Sequence, residues 1–152
     1  MILYRLAKEK YADDLSGIGA RLYGGRWNSK GQPAIYMASS KALALLEVLV
    51  HLQPLIEPKN YFCAEIELPE NSIAEVAVSD LPHNWTDMQS PPALKNIGDE
   101  FLRQNKYLLL KVPSAIVPAE HNYLLNVQHP GMKNVRVIKK ELFNFDKRLY
   151  KN

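Results

Sequence analysis

The chain has 152 residues, 47% hydrophobic and 23% charged, values typical of one globular domain rather than of a disordered or fibrous protein. Its 19 basic and 16 acidic side chains give a net charge of +3, which suits an anionic ligand but lacks the dense basic stripe of a nucleic-acid-binding surface. The single cysteine, Cys63, excludes an intramolecular disulfide, and no apolar run is long enough for a signal peptide or a membrane span. We therefore expect one domain over residues 1–152 in the cytoplasm, with no direct contact to nucleic acid or membrane.

Hydrophobic periodicity and turn residues predict short strands with two or three helices between them. Strands are predicted over residues 2–6, 34–38, 61–68, 73–78, 107–112 and 135–139. A glycine-rich loop is predicted over 15–32, one helix from Ser39 or Ser40 to about residue 52, and another over 93–104. Because strands outnumber helices and do not alternate regularly with them, we expect an α+β fold rather than a doubly wound sheet.

The stretch over residues 15–46 has an unusual composition. It holds five of the seven glycines and four basic side chains but no aspartate or glutamate. Glycines let a backbone approach a ligand closely, and unopposed cations with free N–H groups suit phosphate. The alternative is a flexible surface loop with solvated charges. A Rossmann site is excluded, because the GIG segment lacks the third glycine of the dinucleotide fingerprint and does not follow a buried strand.

Glu47 is the second unusual feature, since it lies in KALALLEVLVHL, a predicted helix that is apolar on nearly every side. A buried ionised carboxylate is costly without a partner, so Glu47 must be paired, protonated or directed into a cleft. One interpretation is an ion pair with an arginine that ties the helix to the glycine-rich loop. The other is a lone carboxylate in a water-poor pocket, where it stabilises positive charge in a transition state.

Other catalytic chemistry finds little support in the sequence. The four histidines form no H-E-x-x-H motif and Cys63 has no cysteine partner, so we expect no metal site. The chain also lacks the G-x-S-x-G motif of α/β-hydrolases and the G-x-x-x-x-G-K-[ST] phosphate loop.

The run GARLYGGRWNSKGQPAIYMASSKALALLEVLVH strongly resembles the opening motif of the RES domain, a family named for an Arg, a Glu and a Ser. The resemblance continues through VPSAIVPAEHNYLLNVQHP to FNFDKRL. It implies a fold similar to ADP-ribosyltransferase toxins, with central mixed or antiparallel sheets flanked by short helices. It further implies the toxin of a type II toxin–antitoxin system, with an Xre-family antitoxin as partner and a homodimer within the larger complex.

The activities that the resemblance implies use NAD⁺ as substrate: hydrolysis or phosphorolysis of the nicotinamide–ribose bond, or protein ADP-ribosylation. The catalytic residues implied by the motifs are Arg26, Tyr36, Glu47 and Ser114. The residues implied to contact NAD⁺ are Arg5, Arg26, Asn28, Tyr36 and Asn126. Val127 stands where the family often has a proline, which alters the turn after Asn126.

These assignments agree with the chemistry of breaking a glycosidic bond, which passes through an oxocarbenium-like state. We expect Glu47 to face the developing cation, and Arg5 and Arg26 to bind the pyrophosphate through their planar guanidinium groups. Tyr36 would stack on the nicotinamide ring or orient Glu47 by a hydrogen bond. Ser114 would be a polar anchor for substrate, or else only a serine of the turn between two prolines.

Two other classes of function stay open. A toxin ribonuclease would use Glu47, Arg26 and a histidine, although the chain lacks aromatic residues interleaved with basic ones for stacking RNA bases. A non-catalytic module would use the glycine-rich loop as a docking surface for a partner. For the enzyme, water, phosphate and a protein side chain are all open as acceptors of ADP-ribose.

Overall fold

Seven strands form one mixed sheet in the computed structural model, which describes residues 1–150. The strands are β1 (Ile2–Lys8), β2 (Ile35–Ala38), β3 (Tyr61–Glu67), β4 (Ile73–Glu75), β5 (Leu109–Pro113), β6 (His121–Leu125) and β7 (Arg136–Leu142). Their order across the sheet is β4-β5-β6-β2-β1-β3-β7, and neighbouring strands are antiparallel except β4 and β5, which are parallel. The predicted α+β class with a central mixed sheet is confirmed. The last two residues of the predicted domain lie outside the described part.

Within residues 1–150, four α-helices accompany the sheet: α1 (Glu9–Ala12), α2 (Ile18–Tyr23), α3 (Lys41–Leu49) and α4 (Pro92–Gln104). Three short 3-10 helices in the same part of the chain cover Val78–Asp80, Pro130–Asn134 and Lys147–Leu149. None of them has the length and apolar character that a membrane crossing needs. The predicted beginning of α3 is confirmed, because the Ser40 hydroxyl accepts a hydrogen bond from the Leu43 amide at 3.0 Å. The helix ends at Leu49, before the predicted residue 52, and a turn leads on towards the next proline.

The prediction of a continuous loop over residues 15–32 was wrong, because α2 lies inside it. The segment Ile18–Tyr23 contains good helix formers, and the glycines that flank it stop the helix from extending. Gly17 and Gly24 have φ of +72° and +69°, a region that residues with a Cβ rarely enter. The glycines therefore shape the ends of a short helix as well as the loop that follows it.

Strand β6 was missed by the sequence analysis, β1 and β7 are longer at their ends than predicted, and the predicted bounds of β4 and β5 were too wide or displaced. β4 covers three residues where six were expected, and β5 begins at Leu109 rather than at residue 107. β6 is a five-residue strand with two polar residues first, so it has little periodicity of its own. Its pairing with β5 on one side and β2 on the other stabilises it.

The two faces of the sheet carry different layers. Ile35 and Met37 of β2 belong to a core on one face, with side chains from β1, β3, β5 and β6. Ala34 belongs to the cluster that α4 covers, and Ala38 to the cluster that α3 covers. Because alternate residues of a strand point to opposite faces, α3 and α4 cover the same face and Tyr36 lies between their contacts.

Helix α4 also holds the loop that follows α2. A Cβ on Gly98 would lie 1.7 Å from the Trp27 carbonyl oxygen, so only glycine permits this contact. The next residue is Asp99, whose carboxylate accepts hydrogen bonds from the Ser29 amide at 2.8 Å and from the Ser29 hydroxyl at 2.5 Å. These contacts fix the loop of residues 24–30 against α4.

Candidate active site

A cleft of about 740 Å³ lies on the face of the sheet that α3 and α4 cover. Its volume is typical of small-molecule and cofactor sites. The side chains of Tyr36 from β2 and Asn122 from β6 lie along it, as does Glu47 from α3. Among the described residues that line it, Glu47 carries the only carboxylate. The lysine and arginine residues of the lining are Arg5, Arg26 and Lys95. An anionic ligand with a cationic reacting group would match this distribution of charge.

Glu47 is held by two hydrogen bonds to the same carboxylate oxygen. Its Oε1 accepts from the Ser114 hydroxyl at 2.7 Å and from the Asn122 side-chain amide at 2.5 Å. Within residues 1–150, Oε2 makes no hydrogen bond, so it is the oxygen available to a ligand. The predicted alternative of an ion pair between Glu47 and an arginine was wrong, because neither partner is charged.

Ser114 contacts Glu47 and does not line the cleft. It is fully buried after the end of β5, and its Oγ accepts hydrogen bonds from the amides of Ile116 and Val117, each at 3.1 Å. With both amides on its oxygen, the hydroxyl directs its proton to Glu47. Our expectation of a serine that anchors substrate directly does not fit this geometry, because no part of Ser114 is exposed to the cleft.

The hydroxyl of Tyr36 serves the loop of residues 24–30. It donates to Asn28 Oδ1 at 2.7 Å and accepts from the Trp27 amide at 2.9 Å. Burial raises the pKa of the Tyr36 phenol above its ordinary value. The expected hydrogen bond from Tyr36 to Glu47 is therefore absent from the described contacts. The ring of Tyr36 lines the cleft, where it can stack on a planar ligand.

Arg26 lies at the cleft with part of its guanidinium already engaged. Its two terminal nitrogens donate to the backbone carbonyls of Trp85 at 2.9 Å and Asp87 at 3.0 Å. Each of these nitrogens carries two N–H groups and the Nε–H is additional, so three of the five donors remain for a ligand. Arg26 thus ties the segment that precedes α4 to the loop of residues 24–30, in addition to facing the cleft.

Arg5 of β1 also lines the cleft. Its guanidinium donates to the backbone carbonyl of Asp14 at 2.7 Å. Burial lowers the pKa of Arg5, and the nearby carboxylates of Asp14 and Asp13 partly offset that effect. An arginine keeps its charge under such conditions, so Arg5 brings a poorly solvated cation to the cleft.

Two predicted contact residues lie away from the cleft. Asn28 is fully buried, and its amide group donates to three backbone carbonyls while its oxygen accepts from Tyr36. Asn126 is also buried, and it bonds Leu102, Asn105 and the amide of residue 128. With these atoms occupied by the protein, the structure does not bring either asparagine to a ligand in the cleft.

Among the residues that line the cleft, Asn122 and Lys95 were not predicted from the sequence and carry functional groups that matter for the site. Asn122 has no local signature, since it lies in the strand that was not predicted. Lys95 lies one turn before Gly98 and Asp99, on the side of α4 that contacts the loop of residues 24–30. It makes no ion pair or hydrogen bond within residues 1–150. Lys95 lies three and four residues before Gly98 and Asp99, and this spacing on the predicted helix indicates that all three share one face. The sequence does not show that this face contacts the loop of residues 24–30.

In the described part of the chain, no three His, Cys, Asp or Glu side chains come together as a group that could hold a metal ion. His51 lines the cleft near the end of α3, and the other three histidines do not. Cys63 is buried and unpaired.

The seven-stranded sheet with its helices matches the fold of a chain in a solved structure. That structure is the crystal structure of the M. tuberculosis MbcT–MbcA toxin–antitoxin complex, and the match has a TM-score of 0.74, 20% identity, and coverage of 98% of this chain and 86% of that chain. At this level of identity the likeness establishes a shared fold. The family follows from sequence: the RES domain family matches residues 2–146, and this chain belongs to it. The predicted family resemblance is confirmed.

Curated relatives match over almost the whole chain. A protein named Toxin Res from Yersinia enterocolitica is 40% identical over 98% of this chain and 99% of its own length. Another Toxin Res, from Photorhabdus laumondii, is 40% identical over 99% of this chain and 98% of its own. A protein named Prs ADP-ribosylating toxin, from Sphingobium sp., is 39% identical over 94% of this chain and 91% of its own.

Proposed function

We propose that this chain is the toxin of a toxin–antitoxin system and that it cleaves NAD⁺ at the bond between nicotinamide and ribose. The observation that carries the proposal is Glu47, which supplies the one carboxylate among the described residues that line the cleft and is held through one oxygen, in a cleft whose lining also includes Arg5, Arg26 and Lys95. Membership of the RES domain family and the relatives named Toxin Res support the toxin role.

The proposed reaction uses Glu47 where positive charge develops. The C1′–N bond breaks, its electron pair passes to the nicotinamide nitrogen, and nicotinamide leaves as a neutral molecule. The charge moves to the ribose ring, as in glycoside hydrolysis, and the free Oε2 of Glu47 stabilises it there. Tyr36 presents its ring to the nicotinamide. Ser114 acts through Glu47 and not on the substrate.

The cations of the cleft are matched to the diphosphate of NAD⁺. Arg5 and Arg26 were the predicted ligands, and Lys95 adds a third positive charge to the lining of the cleft. Arg26 keeps three N–H groups for phosphate while it holds two backbone carbonyls. Asn28 supports this arrangement indirectly, because its side chain bonds Tyr36 and the Ser29 carbonyl in the loop from which Arg26 projects.

The acceptor of ADP-ribose distinguishes two versions of the proposal. Transfer to water or phosphate depletes NAD⁺, whereas transfer to a side chain modifies a protein. The Sphingobium relative, whose name is Prs ADP-ribosylating toxin, supports the second version as the alternative. Both share the same first step, because nicotinamide leaves before the acceptor bonds to C1′.

Purified protein incubated with NAD⁺ tests the proposal. We expect nicotinamide release. Three reactions distinguish the acceptors: buffer alone, buffer with added phosphate, and buffer with cell extract. Mass spectrometry of their products identifies ADP-ribose, phosphorylated ADP-ribose or a modified protein. The matched control is Glu47→Gln. An RNA substrate in a parallel reaction tests the ribonuclease alternative. Stable NAD⁺ in all three reactions would refute the proposed activity. Degradation of the RNA would then support the ribonuclease alternative in its place.

An antitoxin of the Xre family is the proposed partner, and a homodimer within the larger complex is the proposed assembly. The solved complex with a similar fold contains a toxin and its antitoxin, which supports such a partner. We further propose that an acidic or carboxylate-ending segment of the antitoxin enters the cleft near Arg26. NAD⁺ and the antitoxin should then exclude each other in a binding competition, and equal NAD⁺ binding by the complex would refute occlusion. The compartment that this proposal requires is the cytoplasm, where a single thiol such as Cys63 stays reduced.

A further inference from the structure

Asn122 contacts the proposed catalytic carboxylate directly. Its side-chain amide donates to Oε1 of Glu47 at 2.5 Å, and the Ser114 hydroxyl donates to the same oxygen at 2.7 Å. Two donors on one oxygen fix both the position of the carboxylate and its rotation. Oε2 is thereby left as the oxygen that can face a substrate.

The two donors are held by different parts of the fold. Asn122 lies in β6, opposite Ala38 of β2 on one side and Val112 of β5 on the other, so its backbone is fixed inside the sheet. Ser114 lies in the connection between β5 and β6, where backbone amides occupy its oxygen. Groups supported by secondary structure hold a catalytic side chain more accurately than mobile ones do.

We propose that Asn122 is a positioning residue that acts through Glu47 and fixes its Oε2 towards the ribose. This inference rests on the proposed cleavage of NAD⁺ and adds to it a residue outside the predicted set. As the C1′–N bond breaks and its electron pair passes to nicotinamide, the ribose ring gains positive charge. An acceptor oxygen then bonds to C1′ and releases its proton to solvent. Asn122 takes no part in either bond change; it keeps the compensating oxygen in place.

Two variants of Asn122 distinguish the loss of its N–H donor from the loss of its side-chain volume. Asn122→Ala removes the side-chain amide, and Asn122→Asp keeps the shape but replaces the N–H donor by an acceptor. We expect kcat for nicotinamide release to fall by about 10- to 100-fold in both, as for a small displacement of a catalytic group. The dissociation constant for NAD⁺, measured by calorimetry, should change by less than about 3-fold, since uniform binding is retained. His121→Ala is the control, because it changes the same strand without touching Glu47.

A double-mutant cycle tests whether Asn122 acts through Glu47. If it does, Asn122→Ala lowers the rate of the wild type but causes no further loss in Glu47→Gln, since groups that act as a unit are not additive. A further loss of similar size in the Glu47→Gln background would overturn the proposal, as would an unchanged kcat with weaker NAD⁺ binding. The latter result would make Asn122 a substrate contact.

The positioning role is also measurable without turnover. A crystal structure of Asn122→Ala should show the Glu47 carboxylate turned away from its wild-type orientation, and an unchanged carboxylate would overturn the proposal. If wild-type protein releases no nicotinamide, the proposed function fails, while the crystal structure still decides whether Asn122 positions Glu47. If Asn122→Ala fails to fold, Asn122→Asp replaces it in the kinetic measurements and in the crystal structure.

Discussion

Glu47→Gln tests the proposed mechanism most directly, because glutamine has nearly the same shape as glutamate. The amide oxygen can take the place of Oε1 and accept the hydrogen bonds from Ser114 and Asn122, now 2.7 Å and 2.5 Å long. The amide nitrogen then takes the place of Oε2, which has no hydrogen-bond partner within residues 1–150. We therefore expect the variant to fold with its helix and sheet contacts intact.

The free energy of unfolding should fall by no more than about 2 kcal/mol. A hydrogen bond to a charged acceptor contributes about 1.5–3 kcal/mol and one to a neutral acceptor about 0.5–1.5 kcal/mol, so weakening two of them costs about 2 kcal/mol. Loss of a half-buried charge relieves part of this cost, because that charge had to be desolvated on folding. For a chain of this size the midpoint of thermal unfolding should fall by at most about 8 °C.

The rate should change far more than the stability. An amide cannot compensate the positive charge that develops on ribose, and loss of such a group typically lowers kcat by about 10²–10³, or about 3–4 kcal/mol. Chromatographic measurement of nicotinamide release at saturating NAD⁺ gives the rate. Glu120→Gln is the matched control, because Glu120 is exposed and its side chain makes no ion pair in the described part of the chain. A folded Glu47→Gln protein that keeps more than about a tenth of the wild-type rate would refute the mechanism.

Five further substitutions test the surroundings of the carboxylate and the contact between α4 and the loop of residues 24–30. Arg26→Lys should weaken NAD⁺ binding in a catalytically inactive background by about tenfold, because lysine loses the planar donor geometry. Equal affinity in calorimetry would show that the diphosphate does not bind at Arg26. Lys95→Gln should raise KM for NAD⁺ and reduce its dependence on salt, whereas an unchanged KM at low ionic strength would exclude a role in binding. Gly98→Ala should lower the free energy of unfolding in urea by about 1–3 kcal/mol or more, since its Cβ would meet a backbone carbonyl, while Gly19→Ala, with open space around its Cβ, should raise it by about 0.4–1 kcal/mol. Equal effects of the two substitutions on the free energy of unfolding would contradict the close approach of Gly98 in α4 to the Trp27 carbonyl. Tyr36→Phe should cost about 1–3 kcal/mol by leaving buried partners unbonded. Because burial raises the pKa of Tyr36, its contribution to stability is full below about pH 10 and is lost as the pH rises further, so the difference between wild type and Tyr36→Phe should shrink there; a constant difference would contradict this.

The features predicted correctly were those with a local signal. Glu47 stood out because a charge interrupts an otherwise apolar helix, and the structure does place it at the cleft. The start of α3 followed from the serine before it, since a side-chain cap involves residues only three apart. The α+β class followed from the number and order of the elements. Each of these depends on residues close together in the sequence.

The features that were missed depend on contacts between distant residues. Asn122 and Glu47 are 75 residues apart, and Ser114 and Glu47 are 67 apart. No pattern within β6 indicates that its second residue meets a glutamate of α3, because the pairing of β6 between β2 and β5 brings them together. The role of Ser114 was misjudged for the same reason: its sequence context shows a turn but not what the hydroxyl faces.

The glycine-rich motif has a structural task that its composition did not indicate. We expected its glycines to bring the backbone close to phosphate, but a Cβ on Gly25 would lie 2.5 Å from the Tyr36 hydroxyl, so this glycine makes room for a protein side chain. Trp27 is in the core, and Asn28 binds the loop and the end of α2 from inside. Of the residues in the G-G-R-W-N core, Arg26 alone presents a charged group to the cleft. The motif therefore acts mainly by positioning Arg26, because the contacts of Gly25, Trp27 and Asn28 within the fold fix where the guanidinium lies. A substitution at any of these three residues should affect NAD⁺ binding through the position of Arg26.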